Sequence, residues 1–253
     1  NEEIEQYTGW MAKRKMNLTA WYMGTLPDST GIVSADFFNY RLEPEELYHG
    51  GWPGGWDLAP KYRTEYIRHF LNTARDQGIK VFYGITPYEV PRQFRDANPD
   101  EPYVPNLGYD ANYLRPESER GRQLTKQYLT RLIEVYGTDH MYACTPFVES
   151  MGAGTPEESF QIKLEAAKKL NEILGEIDPD YTWISDSWDM GAVPQVWTMD
   201  RVQTYFESLP KERCYMYDTA SVGNPFWKRT NFFGGIDWAF GILHAFQGDD
   251  HLH

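Results

Sequence analysis

Residues 140–149 read HMYACTPFVE, and residues 181–189 read YTWISDSWD. Each is a short apolar run of the kind that forms a buried strand, and an amphipathic helical pattern lies between them, from Pro156 to about Ile177. Thr155 is a suitable N-cap for that helix, and Glu158 completes a capping box. This part of the chain therefore predicts a strand, a helix and a second strand, which is the unit of a parallel sheet.

The same alternation continues in both directions along the chain. Four further apolar runs have the length and composition of strands: Asn17 to Gly24, Lys80 to Pro87, Arg213 to Ser221 and Gly235 to Phe246. Helical patterns precede two of the predicted strands, over Tyr62 to Gln77 and Arg120 to Tyr136. Six strands that alternate with helices predict an α/β fold, and we expect a (β/α)8 TIM barrel.

Two long segments, 25–58 and 88–116, are rich in glycine, proline and aromatic residues, and each follows the carboxyl end of a predicted strand. A (β/α)8 barrel builds its active site at that end of its strands. We therefore expect one domain over residues 1–253, with these segments as active-site loops. Six strands do not close an eight-stranded barrel. Either two further strands lack a clear signal, or, as we expect, the chain is the central part of a longer polypeptide, truncated at both ends.

Composition narrows the class of ligand. The chain has 24 Lys and Arg against 37 Asp and Glu, and its formal net charge is -13. An acidic surface repels polyanions, so we expect neither nucleic acid nor a membrane as partner. Nor does the sequence contain an apolar stretch long enough to span a bilayer. A neutral ligand suits this charge balance better. Aromatic residues, at 16% of the chain, are unusually frequent.

Glu149 is the first candidate for catalysis. It ends the run at 140–149 and precedes a flexible stretch of small residues, and Phe147 and Val148 stand beside it. An apolar pocket disfavours the charged form of a carboxyl group, which would make Glu149 a suitable general acid. The alternative is that Glu149 caps a helix or pairs with an arginine.

Further acids end the neighbouring strands. Asp186 and Trp188 fall on one side of an extended strand and Asp189 on the other, so we expect Asp186 in the pocket and Asp189 in a loop or cap. Asp218 ends the run that begins at Arg213. Glycoside hydrolysis needs a proton donor and a second carboxylate on either side of one bond. The pattern therefore favours a glycosidase.

Aromatic and histidine side chains could hold a sugar. Trp52 and Trp56, in HGGWPGGWD, can offer flat apolar faces to a sugar ring, as can tyrosines of the second long segment, among them Tyr88 and Tyr113. The alternative is that these rings only pack the loops. His244 could donate to a substrate hydroxyl or be a core histidine.

Cofactor chemistry has weak support in the sequence. His251 and His253 have a spacing that some metal-dependent barrel hydrolases use, but no strand supplies an obvious third histidine. Cys144 and Cys214 lie in apolar runs, where small buried side chains are expected. We expect no metal and no organic cofactor.

Several segments together resemble one known family. The segments are GWMAKRKMNLTAW at 9–21, YLRPESE at 113–119, VYGTDHMYACTPFVES at 135–150, TWISDSW at 182–188, PQVW at 194–197 and ILHAFQGDDH at 242–251. They resemble glycoside hydrolase family 89, the α-N-acetylglucosaminidases. The resemblance implies that Glu149 is the acid/base of a retaining exo-glycosidase, that Trp188 contacts the sugar of a glycan substrate, and that His244 matches the histidine that precedes a glycine-rich turn.

The resemblance also implies a longer protein. The nucleophilic glutamate would lie beyond residue 253. A small domain would precede the barrel and a helical domain would follow it, and the location would be secreted, periplasmic or lysosomal-type.

The sequence departs from the family pattern in three places. Val148 replaces a polar residue, Ala245 replaces asparagine, and the segment Gly24 to Pro27 replaces a Gln-Glu pair. Two alternatives therefore stay open, a divergent glycosidase with another sugar specificity and a non-catalytic carbohydrate-binding barrel.

Overall fold

The computed structural model describes residues 2–22, 60–90, 92–105, 112–148, 151, 153–219 and 225–240. The α-helices in these ranges are α1 (Glu2–Lys13), α2 (Pro60–Asp76), α3 (Arg92–Ala97), α4 (Glu119–Tyr136), α5 (Pro156–Ile177), α6 (Trp188–Ala192), α7 (Met199–Glu207) and α8 (Phe226–Arg229). The strands are β1 (Leu18–Tyr22), β2 (Lys80–Gly84), β3 (Glu89–Val90), β4 (Asn112–Tyr113), β5 (Met141–Ala143), β6 (Thr182–Asp186), β7 (Cys214–Asp218) and β8 (Asp237–Phe240). None of these helices is long and apolar enough to cross a bilayer.

Within the described ranges, six strands form one parallel sheet in the order β1-β2-β5-β6-β7-β8. Every strand pairs with the next strand of that sheet along the chain, as Tyr83 pairs with Tyr142 and Ile184 with Tyr215. Sequential order without reversal is the pairing of a (β/α)8 barrel, whereas a doubly wound sheet reverses direction at a switch point. The predicted fold class is confirmed for the part of the barrel that the chain contains.

Helix α5 runs from Pro156 to Ile177, as predicted, because its start is encoded locally. Thr155 Oγ1 accepts from the Glu158 backbone N–H at 3.2 Å, and Glu158 Oε2 accepts from the Thr155 N–H at 3.1 Å. The two residues thus satisfy each other's backbone donors, which is the predicted capping box.

Thr155→Ala should lower the free energy of unfolding by about 1 kcal/mol, because it leaves the first turn of α5 without its side-chain acceptor. Thermal unfolding measures the loss. Thr155→Ser keeps the hydroxyl and serves as the control. An alanine variant as stable as the serine variant would show that the cap contributes nothing.

Two predicted boundaries differ from the structure. The second long segment, predicted as a loop, contains the antiparallel pair β3 and β4 and the short helix α3. The strand expected at 140–149 ends at Ala143, since Pro146 has no N–H to donate and Phe147 adopts a left-handed backbone with φ 53°. The chain therefore leaves the sheet well before Glu149.

The core lies between the sheet and its helices, and Tyr83, Tyr142 and Trp183 are among its fully buried side chains. At the amino end of the sheet, Arg75 Nε lies 2.9 Å from Asp139 Oδ2, and another nitrogen of the same guanidinium donates to Tyr83 Oη at 2.9 Å. Burial raises the pKa of Tyr83 to about 12, so the phenol stays neutral. This network fastens α2 to the end of the sheet that lies opposite the carboxyl ends of the strands.

Candidate active site

The carboxyl ends of the parallel strands meet at one edge of the sheet, where the described candidates Asp186, Trp188 and Asp218 lie at or directly after the ends of β6 and β7. A hydrogen-bonded contact joins the ends of β5 and β6. Thr145 Oγ1 lies 3.3 Å from Ser185 Oγ and accepts from the Asp186 backbone N–H at 3.1 Å. The residues that lead to Glu149 are therefore fixed beside the residues that lead to Trp188.

Trp188 stands at the surface of this edge, with 37% of its area exposed. Its backbone N–H donates to Asp186 Oδ1 at 2.9 Å, so the half-buried Asp186 fixes the first turn of α6. This hydrogen bond joins the two residues, and Trp188 belongs to α6 and not to the strand in which it was predicted. An indole in this position can meet a ligand above the sheet.

Asp189 is predicted to lie in a loop or cap, but the structure places it in the first turn of α6, where its side chain is buried with 1% exposure. Its Oδ2 lies 2.9 Å from Lys163 Nζ and accepts from Trp197 Nε1 at 2.7 Å. The prediction was wrong because the strand ends at Asp186, and the turn into α6 directs the carboxylate inward.

Lys163 was not singled out by the sequence analysis. It is 1% exposed on the apolar side of α5, and its ammonium also donates to the backbone carbonyl of Phe147 at 2.5 Å. Burial lowers the pKa of Lys163, and the adjacent Asp189 carboxylate opposes that effect. A signal did exist, because position 163 falls on the stripe of Phe160, Leu164 and Ala167, where an apolar residue is expected.

Asp218 was predicted as a sugar contact, and the structure places it beneath this edge with 0% exposure. Its Oδ1 accepts from Ser187 Oγ at 2.6 Å, and its Oδ2 accepts from the Trp227 backbone N–H at 3.4 Å. Both oxygens therefore anchor the starts of α6 and α8, which favours a structural role for Asp218 over a sugar contact.

Glu89 is a second acid at this edge that the sequence analysis missed. It follows β2, and its Oε2 lies 3.4 Å from Tyr113 Oη. Burial raises the pKa of Glu89 to about 8, although hydrogen bonds from Thr86 and Tyr113 oppose the effect. Burial also raises the pKa of Tyr113 well above its usual range. Both groups are thus neutral at pH 7, and a neutral carboxyl group can donate a hydrogen bond.

Glu89→Gln should stabilise the protein, relative to wild type, by an amount that grows as the pH rises from about 4.5 to about 8. In this range the folded protein keeps a proton that the unfolded chain has released, so wild-type stability falls as the pH rises. Glutamine has no such proton, and we expect a difference of about 1–3 kcal/mol at about pH 8.

Thermal unfolding at several pH values measures this difference. Glu134→Gln, at an exposed position on α4, is the control and should give a difference that does not change with pH. A Glu89→Gln difference that is equally constant would contradict the assignment.

The remaining predicted residues have different outcomes. Tyr88 is buried in the core, so its ring offers no face to a sugar. Its backbone N–H donates to Thr125 Oγ1 at 2.9 Å. Cys144 and Cys214 are free thiols, and burial raises the pKa of both, to about 12 for Cys214.

Four predicted site residues lie outside the described residues: Glu149, His244, Trp52 and Trp56. So do His251 and His253 and the long segment 25–58.

In the described ranges, no three His, Cys, Asp or Glu side chains are grouped so that they could hold a metal ion.

Comparison with known proteins yields one family and a set of related folds. A family model described as the alpha-N-acetylglucosaminidase (NAGLU) tim-barrel domain matches residues 63–253. Human alpha-N-acetylglucosaminidase is 25% identical over 274 residues, which cover 98% of this chain and 36% of the human protein. The chain thus spans about a third of the length of that relative.

Solved structures agree on the fold. A family 89 glycoside hydrolase from Clostridium perfringens, bound to 2-acetamido-1,2-dideoxynojirmycin, superimposes with a TM-score of 0.69 at 18% identity and covers 97% of this chain and 29% of that one. A complex of the Clostridium perfringens enzyme with its substrate GlcNAc-alpha-1,4-galactose has the same TM-score, identity and coverage. A beta-N-acetylhexosaminidase from Bacteroides fragilis gives 0.55 at 13% identity, over 90% of this chain and 46% of that one.

Proposed function

Since this chain belongs to the alpha-N-acetylglucosaminidase (NAGLU) TIM-barrel family, we propose that the protein is a retaining exo-glycosidase that removes a terminal sugar from a glycan. The observation that carries the proposal is the joined edge of β5 and β6. There the hydrogen bonds of Thr145 hold the segment that leads to Glu149 beside the end of β6, and the exposed residue Trp188 follows that strand. In such an enzyme a proton donor serves the departing oxygen, and an aromatic ring can lie against the apolar face of the sugar.

Glu149 has two roles in this proposal. It protonates the departing glycosidic oxygen in the first step and deprotonates a water molecule in the second. Between the two steps, a carboxylate on the opposite face of the sugar forms the glycosyl-enzyme intermediate.

We place that nucleophilic carboxylate outside these 253 residues. The chain spans about a third of its human relative, which leaves ample sequence to supply it. The described acids at or just after the ends of β6 and β7 already have structural partners. Asp186 accepts a hydrogen bond from the Trp188 backbone N–H, Asp189 forms an ion pair with Lys163, and Asp218 accepts a hydrogen bond from the Ser187 hydroxyl.

The terminal sugar would be held by aromatic and polar side chains. Trp188 would lie against its apolar C–H face, with Trp52 and Trp56 as further aromatic surfaces. Asp186 and His244 would contact its hydroxyl groups. The sugar that we propose is α-linked N-acetylglucosamine, because the human relative is named for removal of that unit and GlcNAc-alpha-1,4-galactose is the substrate of the Clostridium perfringens enzyme.

Val148, Ala245 and Gly24 to Pro27 make another sugar the second candidate for the substrate, because a sugar site gains much of its discrimination from polar contacts.

The test is turnover by the full natural polypeptide on a panel of 4-nitrophenyl glycosides in both anomeric forms. We expect release of 4-nitrophenol from the α-N-acetylglucosaminide and none from the β-anomer, with the α-sugar as the first product in NMR. Release from a different α-glycoside would instead identify a divergent glycosidase. Binding of sugar without turnover of any glycoside would contradict the proposal and support the non-catalytic barrel.

A further inference from the structure

We propose that Lys163 is a positioning residue, whose buried ammonium links the segment before Glu149 to helix α6, which carries Trp188. The inference rests on the proposed function and assigns a role to a residue that does not touch substrate. Lys163 lies on α5, between the two strands whose loops it joins. Its Nζ donates to the Phe147 carbonyl at 2.5 Å and lies 2.9 Å from Asp189 Oδ2.

The position of Lys163 is unusual for a lysine. The side chain is 1% exposed and is among the largest fully buried side chains of the described residues. Its neighbours on the same face of α5 are apolar, and a methionine or leucine would fill this space without removing a charge from water. A buried ion pair often adds little to the stability of a protein, so we infer that the role of this pair is to fix the geometry of the segments that it joins.

The hydrogen bond from Lys163 to the Phe147 carbonyl determines the path of the chain toward Glu149. Phe147 has a φ of 53°, a left-handed conformation that residues other than glycine rarely adopt. Such a conformation persists only where its surroundings hold it. Two contacts do so here, the hydrogen bond from Lys163 and the edge-on packing of the Phe147 and Tyr113 rings at 5.4 Å. Glu149 follows only two residues later.

The ion pair between Lys163 and Asp189 determines the position of Trp188. Asp189 is fully buried, and the same oxygen that meets Lys163 accepts from Trp197 Nε1 at 2.7 Å. Since Asp189 directly follows Trp188 in α6, anchoring one residue orients the other. A single ammonium thus sets the distance between the segment of the proton donor and the aromatic surface.

This arrangement leads to a specific kinetic expectation. A misplacement of about 1 Å in a reacting group can reduce the rate about 100-fold. If Lys163 aligns Glu149, replacing Lys163 should slow the hydrolysis of substrates whose leaving group must be protonated. A 4-nitrophenyl leaving group needs more protonation than the strongly activated 2,4-dinitrophenyl group, so the two substrates separate misalignment from a general loss of folded protein.

The variant that isolates this role is Lys163→Met/Asp189→Asn in the full natural polypeptide. It removes both buried charges, and the asparagine oxygen keeps an acceptor for Trp197, so the double variant should regain most of the melting temperature that Lys163→Met alone loses. The Phe147 carbonyl still lacks its donor. Lys168→Met, at a partly exposed position of α5, is the matched control.

We expect kcat/KM of the double variant to fall about 10- to 100-fold on the 4-nitrophenyl glycoside and less than about 3-fold on the 2,4-dinitrophenyl glycoside. Lys168→Met should match wild type on both. Equal losses on the two substrates, or no loss on either, would overturn the positioning role while leaving the proposed function intact. A wild-type protein that hydrolyses neither substrate would overturn the proposed function, and the role of Lys163 with it.

Discussion

Replacing Glu149 with glutamine should lower kcat/KM on the 4-nitrophenyl glycoside by about 10²- to 10⁴-fold, the contribution typical of a positioned general acid. Glutamine keeps the size of the side chain but has no proton to give. The loss on the 2,4-dinitrophenyl glycoside should be much smaller, because that leaving group departs with little protonation. Steady-state kinetics on the two substrates measures the difference.

The control for this variant is Glu165→Gln, a partly exposed glutamate of α5 that pairs with Lys168 at 3.2 Å. It should leave both rates unchanged. A Glu149→Gln variant that hydrolyses the 4-nitrophenyl substrate at the wild-type rate would remove Glu149 from the mechanism, and the alternative of a helix cap or an arginine partner would then be preferred.

Trp183→Ala should lower the free energy of unfolding by about 3–5 kcal/mol. The side chain is fully buried in the middle of the sheet, and its Nε1 donates to the Cys144 carbonyl at 2.9 Å. Alanine would leave a large cavity and a backbone carbonyl without that donor. Trp183→Phe keeps most of the packing and should lose about half as much.

Denaturant unfolding measures both variants. Trp10→Ala is the control, because Trp10 is exposed on α1 and should change stability by less than about 1 kcal/mol. If Trp183→Ala were no more destabilising than Trp10→Ala, Trp183 could not be the centre of the core described here.

Local signals explain why much of the fold was predictable. Helix α5 begins at its predicted residue because Thr155, Pro156 and Glu158 lie together in the sequence and cap the helix by themselves. The six parallel strands follow from runs of apolar residues that recur between helical patterns, and Lys80–Gly84 and Cys214–Asp218 lie within the predicted runs. Periodicity over a few residues is sufficient for such elements.

Longer-range geometry explains the errors. Asp189 was expected in a loop because strand alternation was extended past Asp186, whereas the partner that draws its carboxylate inward is Lys163, far away in the sequence. Glu89 was missed because only the three-dimensional burial of its carboxyl group raises its pKa. Pro146 was a local sign that β5 ends early, and it was visible in the sequence.

Glu149 is the proposed acid/base of a retaining enzyme, and the product formed by Glu149→Ala in the presence of azide tests this role directly. Azide attacks the glycosyl-enzyme without the help of a base, so it should restore turnover of the 2,4-dinitrophenyl α-glycoside and yield the α-glycosyl azide, identified by NMR. Formation of the β-azide would make Glu149 the nucleophile. Turnover that azide leaves unchanged would contradict the acid/base assignment.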